Sequence, residues 1–324
     1  MLRRLAGAAL LAAAVAACGP SPAPPARTTP TAAAVLPQPP AGSLEFLVLG
    51  DWGRGGNRVQ RQVAGAMAEW AGKRPIRFVV STGDNFYEDG VSSVTDRAWK
   101  GSFEDVYAAP SLLRLPWIVA LGNHDYRGNV EAQVEYSKSS PRWRMPARSF
   151  TVQETAGDGT RVEFFVMDTT PFLATYRSFL SRTKVAGQES AAQLRWLAGS
   201  LAASTADWKI VVGHHPIHSC GPHGDSAELV RDVLPVLARF HVAVYLNGHE
   251  HGLQHLESGG IHFLTSGGGS EATRVSPDAR TVWAEATGGF LALAASRETL
   301  QVRAVNGLGA VRHEAAIPRP APVP

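Results

Sequence analysis

Five short clusters in the chain place oxygen and imidazole donors side by side: GDWG at 50–53, GDNFY at 83–87, GNHD at 122–125, GHHP at 213–216 and GHEH at 248–251. Pooled, they offer Asp51, Asp84 with Tyr87, Asn123 with His124, His214 with His215, and His249 with His251. That is a metal-ligand inventory. A lone aspartate after a strand is usually a turn or helix cap, and a lone histidine is usually a satisfied polar residue, so the reading rests on the five together. Carboxylate, amide and several imidazoles suit first-row transition metals, whereas calcium and magnesium prefer all-oxygen shells. Thiolate ligation is excluded, because Cys18 and Cys220 are the only cysteines. The donors suffice for two ions. In GHEH the alternate residues His249 and His251 can address neighbouring cations, and a carboxylate can bridge two cations about 3.5–4 Å apart, as in two-metal hydrolases. Asp84, flanked by other donors, is the natural bridge.

Groups so far apart in sequence meet only if the fold gathers them, and the flanking sequence says how. LEFLVLGDWG, IRFVVSTGDNFY, PWIVALGNHD, WKIVVGHHP and VAVYLNGHEH are each a short, nearly continuous apolar run ending in one of the clusters. Such runs are strands buried on both faces, and in α/β sheets sites form at the carboxyl ends of the strands. Helical spacing lies between them. Val59, Val63, Met67 and Trp70 share a face behind Asn57 as N-cap, Leu194, Leu197 and Leu201 do so after Ser190, and a third helix is expected over Ser226–Phe240, bent by Pro235. The alternating tail from Trp283 to Ile317 reads as antiparallel strands closing a second sheet. No fixed-period repeat points to a solenoid.

The chain's 324 residues are 44% hydrophobic and 18% charged, ordinary globular composition with material for one large domain or two small ones. Lys+Arg at 31 barely exceeds Asp+Glu at 28, and without a basic stripe carrying interleaved aromatics a nucleic-acid partner is not expected. The N-terminus MLRRLAGAALLAAAVAACGPS has two arginines, then an apolar stretch over 5–17 too short to span a bilayer, then small residues, which together read as a secretion signal. Its VAAC ending reads as a lipobox with Cys18 lipidated, making residues 1–18 a lipoprotein-type signal peptide and the product an exported bacterial protein anchored to the membrane, in the outer membrane or periplasm. Residues 19–42, rich in Pro, Ala and Thr, suit a disordered tether; 43–317 would be the folded domain and 318–324 a disordered tail. With Cys18 consumed, Cys220 is a free thiol and no intramolecular disulfide can form.

In their order, the five motifs resemble the purple acid phosphatases of the metallophosphoesterase superfamily, and especially the animal-type tartrate-resistant acid phosphatases. The stretches GNVEAQVEYSKSSPRWRMPARSF, YLNGHEHGLQHL and GGF at 288–290 extend the resemblance over about 44–309. It implies a four-layer α/β/β/α sandwich, two mixed sheets flanked by helices, with a dinuclear centre of Fe(III) plus a divalent ion (Fe, Zn or Mn). Generic members of the superfamily begin D-x-H; here Gly53 replaces that histidine, and the resemblance makes Tyr87 the compensating ligand, a hard phenolate that stabilises Fe(III). Residue for residue, the resemblance implies Asp51, Tyr87 and His251 around Fe(III), Asn123, His214 and His249 around the divalent ion, and Asp84 bridging. A metal-bound hydroxide would attack phosphorus in line, and the acidity of Fe(III)-bound water makes this workable at acidic pH. His124, oriented by Asp125, and His223 are the catalytic candidates for phosphate binding and proton transfer. His215 reads as a loop support and His218 as exposed, while His241, His255, His262 and His313 read as structural or surface residues. TSGGGS at 265–270 reads as a tight turn near the site, PRWRMPAR with its three arginines as surface or substrate contact, and 170–188 falls where the animal enzymes carry a variable loop whose sequence is not reproduced. The activity implied is monomeric acid phosphatase action on small phosphate esters, the alternatives being phosphodiester or nucleotide hydrolysis and, from another class, non-hydrolytic iron binding.

Overall fold

A computed structural model describes residues 36–178, 181–185, 187 and 189–320. The signal peptide and most of the tether lie outside the described residues, as do 321–324. The strands, in chain order, are β1 (Leu44–Leu49), β2 (Ile76–Ser81), β3 (Trp117–Val119), β4 (Trp143–Arg144), β5 (Phe150–Thr155), β6 (Arg161–Val166) and β7 (Trp208–Val212). They continue as β8 (Val244–Asn247), β9 (Leu253–Ser258), β10 (Ile261–Ser266), β11 (Thr281–Glu285), β12 (Gly289–Ala295), β13 (Thr299–Asn306) and β14 (Val311–Pro318). Two seven-stranded sheets result, ordered β14-β13-β12-β1-β2-β3-β4 and β11-β9-β10-β8-β7-β6-β5. Both are mixed: β1, β2, β3 and β4 run parallel in one and β6, β7, β8 and β10 in the other, with antiparallel strands completing each.

The inner faces pack through aromatic rings, with Phe46 of β1 and Phe78 of β2 stacked at 5.3 Å and Phe164 of β6 edge-on to both. Helices cover the outer faces. Helix Arg58–Gly72 begins where Asn57 caps the Gln60 N–H, and it buries Val63 and Met67. Behind the second sheet, helix Ser190–Ala203 buries Leu197 and Leu201, while the segment expected as one bent helix is two, Ala227–Asp232 and Leu234–Arg239. Pro235 explains the break, since it has no N–H to donate and sits at the start of the second helix. The expected four layers are present.

Three expectations change. The tail does not close the second sheet: β12, β13 and β14 extend the first sheet from β1, and only β11 joins the second. The end of the expected tether is held to the domain, Leu36 N–H donating to Glu314 and Arg303 to the Leu36 and Pro37 carbonyls. At the other end β14 includes Pro318, and Arg319 pairs with Asp207 at 2.9 Å. His255, His262 and His313, expected as structural or surface residues, are structural ones. They form a string across the seam between β9, β10 and β14, with His255 Nδ1 3.0 Å from His313 Nε2 and its Nε2 2.9 Å from His262 Nδ1.

Candidate metal centre

Asp51 and Asp84 follow the parallel strands β1 and β2, Asn123 follows β3, His214 follows β7, and His249 and His251 follow β8. Asp51, Asp84 and His249 have positive φ (59°, 51° and 68°), a conformation costly for residues with side chains and one that turns each donor off its strand end. Trp52 anchors the first turn. Its ring is fully buried against Phe86, Phe103, Tyr107, Trp117 and Trp143, and Nε1 donates to Ser81 Oγ at 2.9 Å.

Gly53 explains how Tyr87 reaches the centre. A Cβ at Gly53 would lie 1.8 Å from the Asn85 carbonyl oxygen, so no side chain, histidine included, fits while the 85–87 turn is in place. The turn is fastened there by Tyr87 N–H donating to Gly53 O at 2.9 Å. Asp125, expected to orient His124, instead holds this turn: its carboxylate accepts from the N–H groups of Asn85, Phe86 and Gly122 and from Gln133 Nε2. Burial, with the nearby Asp84 charge, pushes the Asp125 carboxyl above the usual carboxylate range despite those donors.

All seven expected donors converge, in two groups. In one, the Tyr87 hydroxyl lies 2.8 Å from Asp51 Oδ1, 2.9 Å from Asp84 Oδ2 and 3.2 Å from His251 Nε2. In the other, His214 Nε2 lies 3.2 Å from Asn123 Oδ1, 3.2 Å from His249 Nδ1 and 3.4 Å from Asp84 Oδ2. Asp84 Oδ2 belongs to both. The remaining carboxylate oxygens take backbone donors, His249 N–H on Asp51 Oδ2 and His124 N–H on Asp84 Oδ1.

This donor set fits cations. A phenol has one proton, yet the Tyr87 oxygen faces two carboxylate oxygens at hydrogen-bond distance, so with both carboxylates ionised the second O···O approach needs a cation to be attractive. His214 Nδ1 lies 2.9 Å from the Thr82 carbonyl, which accepts its proton and leaves the Nε2 lone pair facing Asn123, His249 and Asp84. Among protein groups alone, burial works against charge on His214, but the Asp84 carboxylate pushes it up to about 9. Burial, reinforced by Asp51 and Asp84, likewise keeps the Tyr87 phenol far from ionisation without a cation.

The two catalytic candidates flank these groups. His124 stacks obliquely on Tyr87 at 4.3 Å, its Nδ1 2.7 Å from the Glu88 carbonyl and its Nε2 3.9 Å from Asp84 Oδ2. His223 lies over His249 at 4.4 Å with its side chain 57% exposed. Glu250, a residue the sequence reading passed over, holds it: the buried carboxylate accepts the His223 N–H at 2.9 Å and lies 3.3 Å from Nδ1, which raises the imidazole pKa. Its place between two ligands in GHEH was the available signal.

Other expectations divide. His215 is a loop support, bonded to Thr169 and 3.4 Å from the Tyr176 hydroxyl, although its ring also stands near His214 and His249. His218 is buried, not exposed, and paired with Asp225. The 265–270 turn passes beneath the centre, a Cβ at Gly267 falling 2.8 Å from Asp51 Oδ2. Arg142, Arg144 and Arg148 pair with Glu104, Glu154 and Glu131, away from the seven donors. Cys220 is free and buried.

Residues 44–253 match the calcineurin-like phosphoesterase family. Purple acid phosphatase 4 of Arabidopsis thaliana is 46% identical over 248 residues, 72% of this chain and 70% of that one. Tartrate-resistant acid phosphatase type 5 of Rattus norvegicus is 36% identical over 241 residues, 71% of this chain and 74% of that one. A solved structure of GAP50, described as the anchor in the inner membrane complex of Plasmodium, superposes with TM-score 0.76 at 26% identity, covering 86% of this chain and 90% of that one. The chain therefore belongs to the calcineurin-like phosphoesterases, in their purple acid phosphatase branch. It is a dinuclear-metal phosphatase by kinship, and the identity is higher to the plant enzyme than to the animal one.

Proposed function

We propose that this chain is an acid phosphatase releasing phosphate from small monoesters, with Asp51, Tyr87 and His251 holding Fe(III), Asn123, His214 and His249 holding Fe, Zn or Mn as the divalent ion, and Asp84 bridging. The observation carrying this reading is the pair of donor groups that share Asp84 Oδ2. Bound cations would supply an acidified water as nucleophile and neutralise charge on the phosphoryl oxygens. The protein's own groups do the rest. His223, kept protonated to higher pH by Glu250, is placed at the open side of His249 to give a proton to the leaving oxygen. His124, with its Nδ1 proton accepted by the Glu88 carbonyl, presents Nε2 beside Asp84 to hold the phosphoryl group. Both histidines argue against a purely iron-binding role, which needs neither.

The test is the visible spectrum and p-nitrophenyl phosphate turnover of aerobically purified protein beside Tyr87→Phe and Asp84→Asn. A violet band lost in Tyr87→Phe, with turnover lost in Asp84→Asn, is expected; a colourless wild type with both ions bound removes the Tyr87–Fe(III) assignment. A phosphodiester-to-monoester activity ratio above one would favour the diesterase reading. The N-terminal sequence supports export and lipid anchoring at Cys18, for which Cys18→Ala should yield a soluble product.

A further inference from the structure

Next to the candidate centre lies a cleft of about 470 Å³ whose charged lining is Arg127, Lys184, Asp89 and Asp96. Its cations and anions are unequally committed. Asp89 pairs with Arg182 at 2.8 Å, and Asp96 accepts from Ser92 and from the Ala98 N–H. Arg127 has no carboxylate partner among the described residues; Nη1 donates to the Glu88 carbonyl at 3.3 Å, and Nε is buried with no hydrogen-bond partner. Lys184 is exposed, and its ammonium has no ion-pair partner among the described residues. Both carboxylates of the lining are thus engaged by donors, while neither of its two cations has a carboxylate partner among the described residues.

The cleft adjoins the chemistry through one shared atom. Arg127 Nη1 and His124 Nδ1 approach the same Glu88 oxygen, at 3.3 and 2.7 Å, so the two nitrogens are at most 6.0 Å apart. A guanidinium with no carboxylate partner among the described residues, standing beside a phosphoryl site, is suited to a second phosphate, which it can bind through several charge-assisted bonds.

We infer that the Arg127–Lys184 cleft is a second anion subsite, holding the non-transferred phosphate of substrates that carry two or more phosphoryl groups. This rests on the phosphatase reading and narrows its substrate class toward phosphoanhydrides. For pyrophosphate the step balances simply: a water oxygen bonds to the transferred phosphorus, the bridging P–O bond breaks, and the second phosphate leaves with the electron pair and takes a proton, giving two phosphates. Arg127 and Lys184 bind and orient; neither exchanges a proton with the reacting atoms.

The experiment measures inorganic pyrophosphate and p-nitrophenyl phosphate turnover by the full chain with both metals bound, for wild type, Arg127→Gln, Arg127→Lys and Lys184→Gln. Losing one charge-assisted contact should raise KM for pyrophosphate about tenfold or more in Arg127→Gln and less in Lys184→Gln. Constants for p-nitrophenyl phosphate should stay within about twofold, and Arg127→Lys should recover part of the loss. Unchanged pyrophosphate KM, or equal losses on both substrates, overturns the subsite. Calorimetric pyrophosphate binding to wild type and Arg127→Gln separates the two readings: if wild type turns over neither substrate, the phosphatase assignment fails, while an affinity gap still reports the subsite and equal affinities reject it.

Discussion

Replacing Gly53 with alanine tests the link between a missing histidine and a recruited tyrosine. The new Cβ would sit 1.8 Å from Asn85 O, 2.6 Å from its carbonyl carbon and 2.8 Å from Phe86 Cα, against an ordinary contact of at least 3.4 Å. The 85–86 backbone must therefore retreat by about 1.6 Å, or the β1 turn must move by as much. Neither is free to do so: Trp52 is enclosed by five aromatic rings, and Asp125 and Gln133 fasten Asn85. Overpacking of this kind costs about 1–3 kcal/mol. Because Tyr87 and Asp84 ride on that turn, a displacement above 1 Å should lower turnover by about a hundredfold. The assay is kcat/KM for p-nitrophenyl phosphate, read beside the visible spectrum and a urea titration. Gly65→Ala is the matched control, since nothing lies within 4 Å of its Cβ in the helix Arg58–Gly72 and the change should stabilise by about 0.4–1 kcal/mol. Wild-type spectrum and turnover in Gly53→Ala would refute the argument that glycine is required for Tyr87 to reach the centre.

The string His262–His255–His313 should make stability fall as the medium turns acidic. Burial holds all three below the usual imidazole range, His255 to about 3 and His313 to about 4, with Glu257 and Glu314 opposing the shift at His262 and His313. Either of two tautomer sets satisfies both bonds with every ring neutral. The unfolded chain therefore binds more protons below pH 6.5, and His255 alone removes at most about 2.7 kcal/mol by pH 4.5. His255→Leu should flatten the slope of melting temperature between pH 6.5 and 4.5, and an unaltered slope would reject the string as its source. Stripping both metals should lower the melting temperature by roughly 5 °C or more, because bound ions stabilise only the folded state; an unchanged melt of chain shown metal-free by elemental analysis would count against the centre. Glu250→Gln should lower kcat for esters of poor leaving groups more than for p-nitrophenyl phosphate, whose leaving group needs little protonation; equal losses would mean Glu250 does not act through His223.

Much was legible before any coordinates. Apolar runs ending in polar clusters located the strand ends, and the donor types within those clusters named a two-metal hydrolase, because continuous burial and metal ligation each demand particular side chains at particular spacings. The residues that serve the donors were not legible. Asp125 looked like a partner for His124 because the two are adjacent, yet it holds a turn forty residues upstream in sequence. Glu250, between two histidines of GHEH, was passed over and proves to hold His223. Asn57 announced its helix by a local cap, whereas the sheet joined by β12, β13 and β14 depended on where β1 left an unpaired edge, which no local pattern encodes.

From the sequence alone came the donor inventory and the strand–cluster rhythm, each a property of residue type and local spacing, and the family by the resemblance of the five motifs in their order. Only the tertiary structure decided that the donors form two groups sharing Asp84 Oδ2, that Gly53 makes room for Tyr87, and that Arg127 has no carboxylate partner among the described residues. Those facts depend on distances between atoms from different strands, set when two sheets pack face to face and every buried polar group must find a partner or a ligand.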